Sequence, residues 1–164
     1  MSASERPSLV MAHPIVQSAI ETLITRFEHG DYNPTPIIDL GVLVASADGA
    51  ADDDEMETLR HIFQSLFGAA FSKDMVGFLI AASLEVLHAA GVDSRVRLIA
   101  EILKDCDAVK PGIVVALAVA YSSEGLSAAE RGVIEAVARS AGLSTSELDV
   151  LIESVRVTSI AARS

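Results

Sequence analysis

Tryptophan is absent from this chain of 164 residues, aromatic side chains make up only 4% of it, cysteine occurs once, and the 12 bases form no cluster. Each shortage excludes something. A core without large rings has to be filled by Ala, Val, Leu and Ile, which together with the rest bring the apolar share to 51% and suit closely packed helices. A lone Cys106 forms no internal disulfide, in keeping with a reducing cytoplasm. Twenty-three acids against 12 bases give a net charge of -11, which repels a phosphate backbone and an anionic lipid surface alike. The field of such a chain favours cations and protein partners with a basic surface, and nucleic acid is excluded.

Long hydrophobic runs are missing too. The longest, Ile113 to Tyr121, has nine residues, whereas a membrane span needs about 20. It reads as a core helix. The opening residues lack a basic start followed by an apolar stretch and carry Glu5, so they do not read as an export signal. The expected compartment is the cytoplasm.

What is present is helical periodicity. Residues 1–12 read as a loose leader, and a single domain is expected over 13–164. Apolar residues at Ile15, Ile20, Leu23, Ile24 and Phe27 predict a first helix from Pro14 to Phe27. Further helices are expected at about Pro36 to Ala47, Asp53 to Phe67, Ser72 to Ala90 and Ser94 to Asp105. After a break at Lys110-Pro111-Gly112 follow one to about Ser122, then Ala128 to Ala141, then Ser146 to about Val157. No stretch alternates as a strand does. The expected fold class is therefore all-α, a compact bundle of seven or eight helices.

An internal duplication runs through it. Val44-Ala45-Ser46-Ala47-Asp48-Gly49, followed by Asp52 and Glu55, is echoed by Val119-Ala120-Tyr121-Ser122-Ser123-Glu124-Gly125, followed by Ser127 and Glu130. The helices after each turn match as well, Leu59 to Gly68 with Val133 to Gly142. With copies about 75 residues apart, this is duplication within one domain, since solenoid periods are about 20 to 50.

The two turns carry the candidate chemistry. Asp52-x-x-Glu55, Ser127-x-x-Glu130 and Ser144-x-x-Glu147 are capping boxes, which satisfy open amides at a helix start. Capping accounts for Glu55 and Glu130 without any further role. It does not account for six acids, Asp48, Asp52, Asp53, Asp54, Glu55 and Glu57, in ten residues with no base among them. Screening by salt offsets that repulsion, and so does a hard divalent cation, Ca²⁺, Mg²⁺ or Mn²⁺, which prefers carboxylate oxygens. If the two copies pack about a pseudo-twofold axis, the turns face each other and bring Asp48, Glu55, Glu124 and Glu130 together.

The string Ala47-Asp48-Gly49 with Glu55 seven positions after Asp48, closed by Phe67-Gly68, resembles the signature turn of the tellurite-resistance TerB family. Glu124-Gly125-Leu126-Ser127 with Glu130, and Ala141-Gly142-Leu143-Ser144, resemble its second turn. The resemblance runs from about Pro36 to Val157. It implies an all-α fold of about seven helices, a role in tellurite or general stress resistance, and a metal site of acids from both halves. By position those acids are Asp48, Glu55, Glu124 and Glu130, with Asp52 beside them. Asp48 and Glu55 stand seven apart but Glu124 and Glu130 six, so by counting Ser123 is the residue opposite Asp48.

Other motifs fail. A calcium loop starting at Asp48 puts Ala50 and Asp53 where an oxygen ligand and Gly are needed. Glu85-x-x-His88 has no second copy to complete a di-iron pair. His61 is expected as the surface partner of Glu57, four residues before it. Cys106, between Asp105 and Asp107, sits in a field that disfavours thiolate. No phosphate loop, zinc spacing or nucleophile elbow appears, and no base or nucleophile stands beside the acids for a metal-dependent hydrolase. Two functions follow: a TerB-like stress protein holding a divalent metal at its acidic turns, or a metal-free helical module whose acidic face recruits a basic protein.

Overall fold

Runs of Ala, Val, Leu and Ile at helical spacing bury themselves by packing helix on helix, and the computed structural model of the chain does this throughout. It describes residues 14–31, 35–49, 53–67, 72–121 and 125–163, the side chains at 54, 55, 58, 62, 65–67 and 159–163 excepted. Within them lie eight helices and no strand: α1 Pro14–His29, α2 Thr35–Ala45, α3 Asp53–Phe67, α4 Lys73–Ala90, α5 Val92–Asp105, α6 Val109–Tyr121, α7 Ala128–Ser140 and α8 Thr145–Arg163. The expected leader lies outside the described residues.

The most apolar segment takes the centre. Every residue of α6 from Gly112 to Tyr121 is buried, and the helix is packed by α1, α2, α5, α7 and α8. The run at Ile113 to Tyr121 is thus the core helix its length implied. Its counterpart α2, buried from Ile37 to Leu40 except at Asp39 and from Gly41 to Ala45, lies against it. Among the described residues Phe27 and Phe63 are fully buried rings, Tyr121 is a third ring of the core, and apart from Cys106 the remainder is aliphatic.

Two helix boundaries moved by more than two residues, for physical reasons. The break expected at Lys110-Pro111-Gly112 falls earlier, because α6 begins at Val109 and Pro111 sits in its first turn, where a missing N–H costs nothing. The chain reverses instead at Asp107, whose φ of 53° is left-handed, and the Ala108 amide closes the turn onto the Leu103 carbonyl at 2.8 Å. The last helix starts at Thr145 and runs on to Arg163, past the expected end near Val157. Thr158, just past that end, is buried and donates its hydroxyl to the Ser154 carbonyl at 2.9 Å.

Close approach explains one glycine. A Cβ on Gly41 lies 2.6 Å from Cζ of the buried Phe63 ring, so α3 crosses α2 where only hydrogen fits. Counting through the repeat, Ala116 and Val137 take the places of Gly41 and Phe63. The second copy keeps the smaller residue on the first helix and the larger on the next, and both of its members are buried.

Candidate functional site

The second turn is built by its cap. Ser127 has the extended backbone of an N-cap, φ -74° and ψ 163°. Its hydroxyl accepts the Glu130 amide at 3.1 Å, and its own amide donates to Oε1 of Glu130 at 3.0 Å. Glu130 is held almost out of solvent by this exchange, at 7% exposure. The box at Ser144 forms in the same way, the Ser144 amide donating to Oε1 of Glu147 at 3.2 Å and the Glu147 amide to Oγ of Ser144 at 3.1 Å. These bonds, with Lys110 at 3.3 Å, hold the Glu147 carboxyl below the usual carboxylate range.

The first turn comes to meet this cap. After α2 ends at Ala45, the Gly49 amide donates back to the Ser46 carbonyl at 3.1 Å, and Gly49 takes a φ of 127° open to glycine. Gly125, its counterpart in the repeat, has a φ of 103°. The turn presents Asp48 so that the Ser127 hydroxyl donates to its Oδ1 at 3.0 Å. One hydroxyl therefore joins the two turns while capping α7. Two residues before Asp48, Oγ of Ser46 is buried with no hydrogen-bond partner among the described residues.

Of the five sequence candidates, Asp48 and Glu130 are brought together through Ser127. Asp52 and Glu124 lie outside the described residues, and Glu55 is described only as part of α3. Among the described residues no three His, Cys, Asp or Glu side chains gather in the manner of a metal cage. The described donors at the junction, the Asp48 carboxylate and the Ser127 hydroxyl, are all oxygen. That chemistry fits Ca²⁺, Mg²⁺ or Mn²⁺ and not a soft metal.

Three other expectations are corrected or refined. Glu57 pairs with Arg60, one turn along α3, in place of His61; guanidinium offers a fork to the carboxylate that an imidazole lacks. Glu85 and His88 are both exposed on α4, as an ordinary surface pair. Cys106 caps α5 and its thiol is pushed up as expected, but burial is the main cause and the Asp105 charge the lesser one.

One half-buried charged group had no forecast. Asp39, within the apolar run of α2, accepts the Ser83 hydroxyl at 2.6 Å and pairs with Arg95 at 2.9 Å, tying α2 to α4 and α5. The signal was in the sequence: an acid between Ile38 and Leu40 in a helix otherwise buried requires a partner.

Among the described residues no single helix is long and apolar enough to cross a membrane. No curated protein and no solved structure matches the chain. The family model described as tellurite resistance protein TerB matches residues 35–152, which take in both turns, all of α2 to α7 and the first part of α8. By that match, over most of its length, the chain belongs to the tellurite resistance protein TerB family.

Proposed function

We propose that the chain serves a tellurite or stress response by binding a hard divalent cation where its two acidic turns meet, with Asp48 as the central ligand. Asp52, Glu55, Glu124 and Glu130 are the further acids of the proposed set. The observation that carries this reading is the Ser127 to Asp48 hydrogen bond, since it ties the first turn to the cap of the second. A bound cation supplies positive charge that offsets the repulsion among six neighbouring carboxylates. The residues of the chain do the positioning: Ser127 orients Asp48, and Glu130 fixes Ser127 through the capping box. Titration calorimetry with Ca²⁺, Mg²⁺ and Mn²⁺ on EDTA-treated protein tests it. Saturable binding with a stoichiometry near one supports the site, and heats of dilution alone remove it.

A second reading is favoured by a specific observation. The cap and the cross-turn bond already give Asp48 and Glu130 partners without a cation. On that reading the chain is a metal-free module whose acidic surface, at net charge -11, engages a basic protein. The two separate by salt: a protein contact of this kind weakens steadily with ionic strength, whereas a coordinated ion holds at physiological salt.

A further inference from the structure

Helix α4 turns Val76, Ile80, Ser83 and Leu87 inward, yet its outer side is not polar. Phe78 is 73% exposed, Met75 47% and Val86 43%, with Ala82 half-buried and Ala89 exposed beside them. Measured from Ala82, these residues stand at minus seven, minus four, plus four and plus seven, so they share one stripe that is symmetric about Ala82. We propose that this stripe pairs with the same stripe of a second copy, antiparallel, about a twofold axis at Ala82.

Shape selects the direction. In an antiparallel pair Met75 meets Ala89 of the other copy, Phe78 meets Val86, and Ala82 meets Ala82, so each large side chain faces a smaller one and the helices approach closely at the axis. Parallel pairing stacks the two Phe78 rings and leaves opposed alanines apart. Charge agrees, since Asp74 at minus eight comes within two residues of His88 at plus six on the other copy, an acid beside an imidazole. The two Glu85 side chains sit three residues on either side of the axis, about 9 Å apart along the helix, where salt screens them. Helix α4 has 18 residues and is about 27 Å long, and one such face falls short of the roughly 800 Å² per partner of a standard interface. The dimer is therefore weak, and it strengthens with salt because two chains of charge -11 repel each other.

The test is sedimentation combined with site-directed crosslinking in a Cys106→Ala background. Ala82→Cys should oxidise to a covalent dimer, because the axis brings the two copies of position 82 within disulfide reach. Asp74→Cys should not, since its two copies stand about 24 Å apart along the helices. Mixing Asp74→Cys with His88→Cys should give the heterodimer. Phe78→Glu should lower the yield of the Ala82→Cys dimer at least tenfold. Equal crosslinking at positions 74 and 82, or no effect of Phe78→Glu, overturns the proposal. So does a parent chain that sediments as a monomer at about 1 mM in high salt, which assigns the face to a different protein.

Discussion

The Ser127 hydroxyl donates to Oδ1 of Asp48 at 3.0 Å across 79 residues of chain, and accepts the Glu130 amide at 3.1 Å. A single side chain thus serves as helix cap and as clasp between the two turns. Ser127→Ala removes both and should cost about 1–2 kcal/mol in urea unfolding, the upper range for a lost cap. Asp48→Ala breaks only the clasp at an exposed residue, and about 0.5 kcal/mol is expected. In a double-mutant cycle the two changes should couple, with the double variant less destabilised than the sum. Strict additivity denies the clasp any energetic role.

The Asp39–Arg95 pair makes a second case. Both side chains are largely buried, at 15% and 13% exposure, and Ser83 satisfies the same carboxylate. Asp39→Leu strands the guanidinium and should destabilise by about 3–5 kcal/mol, whereas Asp39→Leu with Arg95→Leu should recover much of that loss. Equal destabilisation by the single and double variants in denaturant melts contradicts this account.

These two clusters differ in how far the sequence reveals them. Helix α3 starts at Asp53 and ends at Phe67 as its periodicity indicates, because capping and amphipathic spacing are local signals. The box at Ser127 is legible for the same reason. The clasp from Ser127 to Asp48 is not, since it depends on how α2 and α6 pack, and nothing local specifies that contact. Arg95 likewise gives no local sign that it reaches Asp39, although the acid itself stands out in an apolar run. Gly41 reads as an ordinary helix glycine until Phe63 is seen against it. The apolar stripe of α4 repeats at helical spacing like a core face, so periodicity alone does not separate its buried side from its exposed one.

Cys106 provides a prediction in pH. Its thiol is buried, and burial followed by the Asp105 charge pushes its pKa above the ordinary thiol value. Between the ordinary and the raised value the native state keeps a proton that the unfolded chain has released. The stability this contributes is complete at neutral pH and is lost as pH rises through that alkaline window. Cys106→Ala should flatten the alkaline fall of the melting temperature. A thiol reagent should label the folded parent more slowly than a model thiol at pH 7, and labelling as fast as the model thiol overturns the assignment.

The proposed cation site makes the sharpest demand on Asp48. A ligand that binds the folded state alone stabilises it by RT ln(1 + [L]/Kd), so a cation at about 100 times Kd adds roughly 2.7 kcal/mol and raises the melting temperature. Asp48→Asn keeps an acceptor for the Ser127 hydroxyl, so the melt in EDTA should stay within about 0.5 kcal/mol of the parent. It removes a negative oxygen from the site, and most of the cation-dependent gain should go with it. Glu55→Gln should weaken cation binding in the same assay, because an amide oxygen is a poorer ligand than a carboxylate, while Gln still serves a capping box. A smaller, uniform rise in every variant, matched by NaCl of equal ionic strength, is the signature of screening among the six acids of this turn. Under that outcome coordination is ruled out, and the acidic turns act as caps on a surface that meets a basic partner.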